Sequence, residues 1–238
     1  MRMYFGGFIP LTTVDWPGRS ACTVFLRGCP ARCHYCHNPE LQDFGPQIER
    51  VDIRQVKDLI KGSKPYISGV VFSGGEPLAQ AQNITELVSW AWGQSIPVAI
   101  QTSGIFPEVL RFLVGEGFVD RLSLDLKFSW VDYDAQMGLT DVGFKVMSSL
   151  EIGYQAYTKT GLLQEFEIVH TTFKGESPKY VELLASLLPE ITIVLQQGAV
   201  AGQEPLTHTD LVDLAVDHLG GHPVKIRTRE GGEVNMTG

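Results

Sequence analysis

The chain reads as an α/β protein, an open partial (β/α)6 barrel, for three reasons. Apolar runs rich in β-branched residues alternate with amphipathic stretches of helix length, the pattern of parallel β/α units. The six main strands are too few for the eight that close a barrel. The chemically informative residues fall directly after strand ends, where ligands gather in such sheets.

The elements follow in order. Strand one is predicted at Ala21–Leu26, and the loop behind it carries three cysteines. A helix over Asp52–Gly62 leads to strand two, Gly69–Phe72, an unbroken apolar run of the kind a strand buried on both faces needs. A helix over Ala79–Trp92 precedes strand three, Pro97–Gln101. Pro107 suits the first turn of a helix over Pro107–Glu116, where its missing N–H costs nothing, and strand four follows at Arg121–Asp125. A helix over Asp141–Glu151 leads to strand five, Gln164–His170. Ser177 as N-cap and Pro178 in the first turn predict a helix over Pro178–Leu188, before strand six, Ile191–Gln196. Thr207 caps a last helix, Thr207–Leu219, and a short strand over Val224–Thr228 ends the pattern. The loop Gly198–Pro205 is too short for a linker, so residues 1–238 are expected to form one domain. The tail Glu230–Gly238 is expected to fray.

The bulk numbers narrow the class. Hydrophobic residues make up 44% and charged residues 19%, enough to fill a core. A net charge of −8 argues against a nucleic-acid backbone as the main partner. No apolar run approaches the ~20 residues of a membrane span. Met1–Pro10 lacks an apolar signal core. A cytoplasmic location without membrane contact is expected.

Cys29, Cys33 and Cys36 crowd one loop at C-x3-C-x2-C spacing, and Cys22 is the one other cysteine. Such crowding suits a metal better than a disulfide framework. Two metal readings stand. One is a structural zinc with His34, His37 or Cys22 as fourth ligand. The other is an iron–sulfur cube, which takes four ligands and would keep one iron open if only three are thiolates. Cys22, on strand one, is expected to pack in the core as a small hydrophobe.

Three further segments end strands two to four. Ser73-Gly74-Gly75-Glu76-Pro77 is by itself an ordinary turn, although glycines allow close backbone approach. Gln101-Thr102-Ser103-Gly104 follows strand three, and Asp125-Leu126-Lys127, which alone reads as a surface ion pair, ends strand four. One mouth would therefore collect the thiols, a glycine turn, a carboxylate and an ammonium. His34, His37 and Arg32 read as solvated loop groups, His170 as a structural histidine at a strand end, and Gln196 as facing the mouth.

The cysteine spacing, with Tyr35 before the third cysteine, resembles the signature of the radical S-adenosylmethionine enzymes, and Gly74–Pro77 resembles their GGEP segment. Asp125-Leu126-Lys127 resembles the DLK segment of glycyl-radical enzyme activases. Asp15-Trp16-Pro17-Gly18, His37-Asn38-Pro39-Glu40-Leu41, Gln101–Gly104, Leu195-Gln196-Gln197 and a terminal strand with Arg227 are similar to the activating proteins of anaerobic ribonucleoside-triphosphate reductases. The middle strand, Glu165–Thr172, departs from that pattern.

The resemblance implies a radical SAM type of partial barrel with one [4Fe-4S] cluster on Cys29, Cys33 and Cys36. It implies S-adenosylmethionine on the open iron, with cofactor contacts from Tyr35, Gly74, Gly75, Glu76, Thr102, Asp125 and Lys127. Glu76 and the glycine backbone would meet the cofactor's amino group, and Lys127 its carboxylate. It also implies a monovalent cation beside Asp125, where the relatives' second acidic ligand is matched by Gln101. Reductive cleavage to a 5′-deoxyadenosyl radical, and hydrogen abstraction from a glycine of anaerobic ribonucleotide reductase or another glycyl-radical enzyme, would follow, with no residue acting as acid or base. Too few cysteines remain for a second cluster, so flavodoxin or ferredoxin would supply the electron. Two rival readings remain. One is a radical enzyme acting on a small pterin-like or deazapurine-like molecule or a peptide. The other is a non-enzymatic zinc or iron–sulfur binding module.

Overall fold

A computed structural model describes residues 1–200 and 202–236. The strands are β1 (Arg2–Met3), β2 (Phe5–Thr12), β3 (Ala21–Leu26), β4 (Val51–Asp52), β5 (Gly69–Gly74), β6 (Val98–Thr102), β7 (Arg121–Asp125), β8 (Glu165–Thr172), β9 (Thr192–Gln197), β10 (Val224–Thr228) and β11 (Gly232–Met236). The helices are α1 (Ile53–Ser63), α2 (Ala81–Gly93), α3 (Pro107–Gly115), α4 (Tyr133–Met137), α5 (Val142–Gln155), α6 (Lys179–Leu187) and α7 (His208–His218).

Nine strands form one sheet in the order β11-β10-β9-β8-β7-β6-β5-β3-β2. From β3 to β10 every pairing is parallel, and helices cross over between consecutive strands. The six β/α units are those expected, and the short strand Val224–Thr228 becomes the seventh parallel strand. Each edge carries an antiparallel strand, β2 on β3 and β11 on β10. The two edges do not pair with each other among the described residues, so the sheet is open.

Both edge strands escaped the sequence reading. Gly6, Gly7 and Pro10 make β2 look like a turn, yet an edge strand tolerates proline because one side needs no ladder. The tail expected to fray instead returns as β11, whose pattern is weak because Glu233 points inward to ion pairs. Residues 237 and 238 lie outside the described residues. Helix ends shift for local reasons. Asp52 is the N-cap of α1, in a capping box with Gln55, and Thr207 caps α7 in another with Asp210. Pro178 sits at the cap of α6 rather than inside it, and Ser177 Oγ accepts weakly from Lys179 N at 3.4 Å. Helix α5 runs past Glu151 into a π turn, Ala156–Thr160, and short α4 had no expectation.

The two faces of the sheet differ. The outer face packs under the helices through Cys22, Val24, Val70, Phe72, Ile100, Leu122, Ile168 and Ile193. Successive strand residues point to opposite faces. The inner face starts with a small cluster of Trp16, Ala21, Val71 and Ala99 at the amino ends of the strands. Fully buried Trp16, delivered by the turn after β2, stoppers that end and donates its indole N–H to Glu165 Oε1 at 3.1 Å.

Above Trp16 lies a layer of charge. Glu167, 4% exposed, accepts from Arg121 at 2.6 Å, Ser123 at 3.1 Å, Arg227 at 3.2 Å and Lys225 at 3.3 Å. Glu233 holds Arg227 at 2.5 Å and Lys225 at 3.2 Å, and Glu165 lies 3.4 Å from Arg121. Burial pushes the Glu167 carboxyl up, but Arg121, Arg227 and Lys225 outweigh it and hold it below the usual carboxylate range. A depressed folded pKa contributes stability above the unfolded value of about 4.3, lost as pH falls through the folded one. Glu167→Ala removes a buried carboxylate shared by three cations, leaves Arg121, Lys225 and Arg227 facing only Glu165 and Glu233, and is expected to cost about 3–5 kcal/mol in urea unfolding at neutral pH. Glu165→Ala, at a side chain 44% exposed, is expected to cost under about 1 kcal/mol. The gap between Glu167→Ala and the unsubstituted chain should narrow as pH falls below about 4.

Candidate active site

At the carboxyl ends of the parallel strands lies a cavity of about 180 Å³. Its walls include Cys29, Cys33 and Cys36, the turn Ser73–Gly75, Gln101 and Thr102, Asp125 and Lys127, and Gln196 and Arg227. The residues expected to share one mouth therefore do so, with Tyr35 among them and Glu76 as the exception.

The cysteine loop is held from below by backbone. Gly28 N donates to Leu41 O at 2.8 Å and Cys29 N to Gln42 O at 2.9 Å. Gly75 N donates to Leu26 O at 2.9 Å and Glu76 N to Gly28 O at 2.8 Å, so the glycine turn hangs directly on the loop's first residues. This approach explains both glycines. A Cβ on Gly74, whose φ is +125°, would stand 2.1 Å from Leu26 O, and one on Gly75 2.7 Å from Gly28 O and Leu41 O. Arg32, read as solvated, donates to Cys29 O at 2.6 Å and Ala31 O at 3.0 Å and so braces the loop although exposed.

Glu76 lies beneath the cavity, 0% exposed. Its Oε1 accepts from Thr102 Oγ1 at 2.7 Å and Leu78 N at 3.0 Å, and its Oε2 from Ser103 Oγ at 2.5 Å and Ser103 N at 2.9 Å. Four donors fill the carboxylate's acceptor positions, where the family resemblance implies the cofactor's amino group. Burial raises the carboxyl's pKa and the four donors draw it back in part. Ser103 stands within the segment Gln101–Gly104 that the sequence singles out, but no role is legible for it there. A hydroxyl two residues beyond strand three carries no pattern of its own.

Lys127 Nζ is 2.8 Å from Asp125 Oδ2 and 5.8 Å from the Tyr35 ring centre. Burial pulls the ammonium's pKa down, and Asp125, Tyr35 and Cys33 together raise it above its usual value. Asp125 carries most of that, because burial holds Tyr35 and Cys33 in their neutral forms. Tyr35 packs on Phe173 and Phe128, ring centres 4.6 and 5.6 Å away, which fixes the loop between the second and third thiols. Gln101 donates its amide N–H to Asp15 O at 3.1 Å, which directs its amide oxygen away from Asp15. Asp15 O also accepts from Arg121 at 3.0 Å, so the turn bearing Trp16 anchors the cavity floor.

The donor set fits an iron–sulfur cluster. Burial first, with Glu76, Cys33 and Cys36 acting in the same direction, pushes the Cys29 thiol up to about 12. Three cysteine sulfurs on one cavity wall are the soft donors an iron–sulfur core takes, and a cationic core deprotonates the thiols that coordinate it, although no three such side chains converge as a ready-made metal group among the described residues. Cys22 packs in the outer core and does not line the cavity, as expected from its strand. His37 lines the cavity and His34 does not. Anaerobic reconstitution followed by iron analysis should therefore give the full iron content for Cys22→Ala and little or none for Cys33→Ala. Loss of metal in Cys22→Ala would point to a closed four-cysteine site instead.

Known proteins are similar to this chain in sequence or in fold. A protein of Methanocaldococcus jannaschii, provisionally named a glycyl-radical enzyme activating enzyme, is 29% identical over 134 residues, 56% of this chain and 54% of that one. The pyruvate formate-lyase-activating enzyme of Clostridium pasteurianum is 34% identical over 138 residues, 55% of this chain and 54% of that one. The chain thus spans about half the length of the curated relatives it matches. The crystal structure of QueE from Escherichia coli shares the fold, with a TM-score of 0.58 over 96% of this chain and 95% of that one at 15% identity. Residues 23–188, well over half the chain, match the profile of the radical SAM superfamily. With its three cysteines, glycine turn and Lys127 gathered at the mouth of an open parallel barrel, the chain belongs to the radical SAM superfamily.

Proposed function

We propose that the chain activates a glycyl-radical enzyme, with anaerobic ribonucleoside-triphosphate reductase as the partner. Cys29, Cys33 and Cys36 would hold the [4Fe-4S] cluster that the superfamily implies, leaving one iron for S-adenosylmethionine. When bound, the pair supplies the reducing electron and the radical that takes a hydrogen atom from glycine. The rest is positioning by this chain. Lys127, fixed by Asp125, is the ammonium available to the cofactor's carboxylate. The Gly74–Gly75 backbone and Thr102 line the same wall, and Tyr35 closes the loop above. Glu76 acts through Thr102 and Ser103, holding the wall rather than the ligand. A monovalent cation between Asp125 and the Gln101 amide oxygen would have one charged ligand instead of two.

The choice of a protein substrate is supported by the names of two relatives, a glycyl-radical enzyme activating enzyme and a pyruvate formate-lyase-activating enzyme, and the shape of the site is compatible with it. The barrel lumen behind the cavity is filled, by Trp16 at the strands' amino ends and by the Glu167 ion-pair layer above it. A hydrogen donor must then come in from the mouth, as an exposed polypeptide loop does. With Cys22 committed to the core, the electron comes from an external donor such as flavodoxin or ferredoxin.

Electron paramagnetic resonance on an anaerobic mixture tests the reading. It contains the reconstituted, reduced protein, S-adenosylmethionine and the reductase. A glycyl-type doublet that vanishes with Cys33→Ala is the expected result. 5′-Deoxyadenosine without a doublet would mean a different substrate. Lys127→Met should raise the KM for S-adenosylmethionine by about tenfold or more, the loss of one charge-assisted contact.

A further inference from the structure

Among the described residues Arg227 is the one arginine on the cavity wall, and its side chain is 19% exposed. Its guanidinium carries five N–H groups. Nε donates to Glu233 Oε2 at 3.0 Å. Nη2 donates to Glu233 Oε2 at 2.5 Å and Glu167 Oε1 at 3.2 Å. Nη1 donates once, to Gln196 Oε1 at 3.2 Å. One Nη1 hydrogen is left without a partner among the described residues, on a group that borders the cavity.

The charge around that hydrogen is balanced. Arg121, Lys225 and Arg227 face Glu165, Glu167 and Glu233 in one connected network. Arg227 therefore offers a fixed hydrogen-bond donor whose charge is already neutralised. A phosphate or carboxylate would gain little there, because two carboxylates already crowd the same guanidinium. A neutral carbonyl oxygen needs one oriented donor and no net charge.

We propose that Arg227 binds a main-chain carbonyl of the partner segment that carries the reacting glycine, with Gln196 and Glu233 setting the guanidinium's plane. The stretch of cavity wall that carries Arg227 is then built for an amide, and the substrate class is a neutral peptide segment rather than an anionic small molecule. This rests on the activase reading and goes beyond it by naming the group that receives the substrate. Arg227 is a binding residue in this scheme, and Glu233 positions it from β11.

Two charge-balanced double variants separate the donor from the ion pair. Arg227→Met with Glu233→Gln removes the donor and keeps the layer neutral. Arg227→Gln with Glu233→Gln also keeps it neutral and returns an N–H donor. Glycyl-radical formation on anaerobic ribonucleotide reductase is measured against reductase and S-adenosylmethionine concentration, with iron content and circular dichroism as checks of folding. The methionine variant should raise the KM for the reductase about tenfold, the loss of one hydrogen bond, without raising that for S-adenosylmethionine. The glutamine variant should recover most of that loss. A rise in the S-adenosylmethionine KM alone, or equal KM values for both variants and the parent, would overturn the assignment of Arg227. Absence of a glycyl radical with the parent protein, while 5′-deoxyadenosine still forms, would overturn the activase reading and the peptide ligand with it.

Discussion

The buried carboxylate of Glu76 is the tie on which the mouth depends. Its backbone N–H holds Gly28 at the root of the cysteine loop, and its side chain gathers Leu78, Thr102 and Ser103. Three segments far apart in sequence thereby meet at one group with no exposed atom. A carboxylate in such a place is tolerable only because every acceptor position is met. The same saturation makes it a brace. The root of the cysteine loop, the glycine backbone and the strand ends are thereby set relative to one another, which is what a reaction dependent on atom-scale placement requires.

The second constraint is the balance of charge inside the barrel. Parallel strands are usually apolar on both faces. Here the outer face obeys and the inner face does not. Arg121, Glu167, Lys225 and Arg227 replace the apolar layer expected above Trp16. The ion pairs fill the lumen and close it behind the cavity. They also bring the carboxyl-terminal hairpin into the site, since Glu233 on β11 helps to hold Arg227. An edge strand thus shapes the part of the cavity wall that carries Arg227.

Much of this was legible in the residues. The six β/α units, the convergence of four loops at one mouth and the core position of Cys22 follow from periodicity and from where the polar groups fall. The β2 and β11 edges were not legible, because an edge strand can carry proline or an inward glutamate that erases alternation. The Glu167 layer was also hidden. Its members lie on β7, β8, β10 and β11, and opposite charges scattered over more than a hundred positions reveal their pairing only once strand register is known. Glu76 was visible as a motif but not as a brace, since its partners Thr102 and Ser103 are ordinary residues at the end of another strand. Asp15-Trp16 was noticed as a pattern, and its use as the stopper of the barrel became clear only from burial.

The central claim is that three thiols, held by this framework, leave one coordination position for a ligand. Electron paramagnetic resonance of the reduced, reconstituted protein, recorded before and after S-adenosylmethionine is added and without any partner protein, tests it most directly. A cluster with an open iron should change its spectrum when the cofactor binds. Identical spectra, with the cofactor shown by equilibrium dialysis not to bind, would contradict the account and indicate a closed, structural centre.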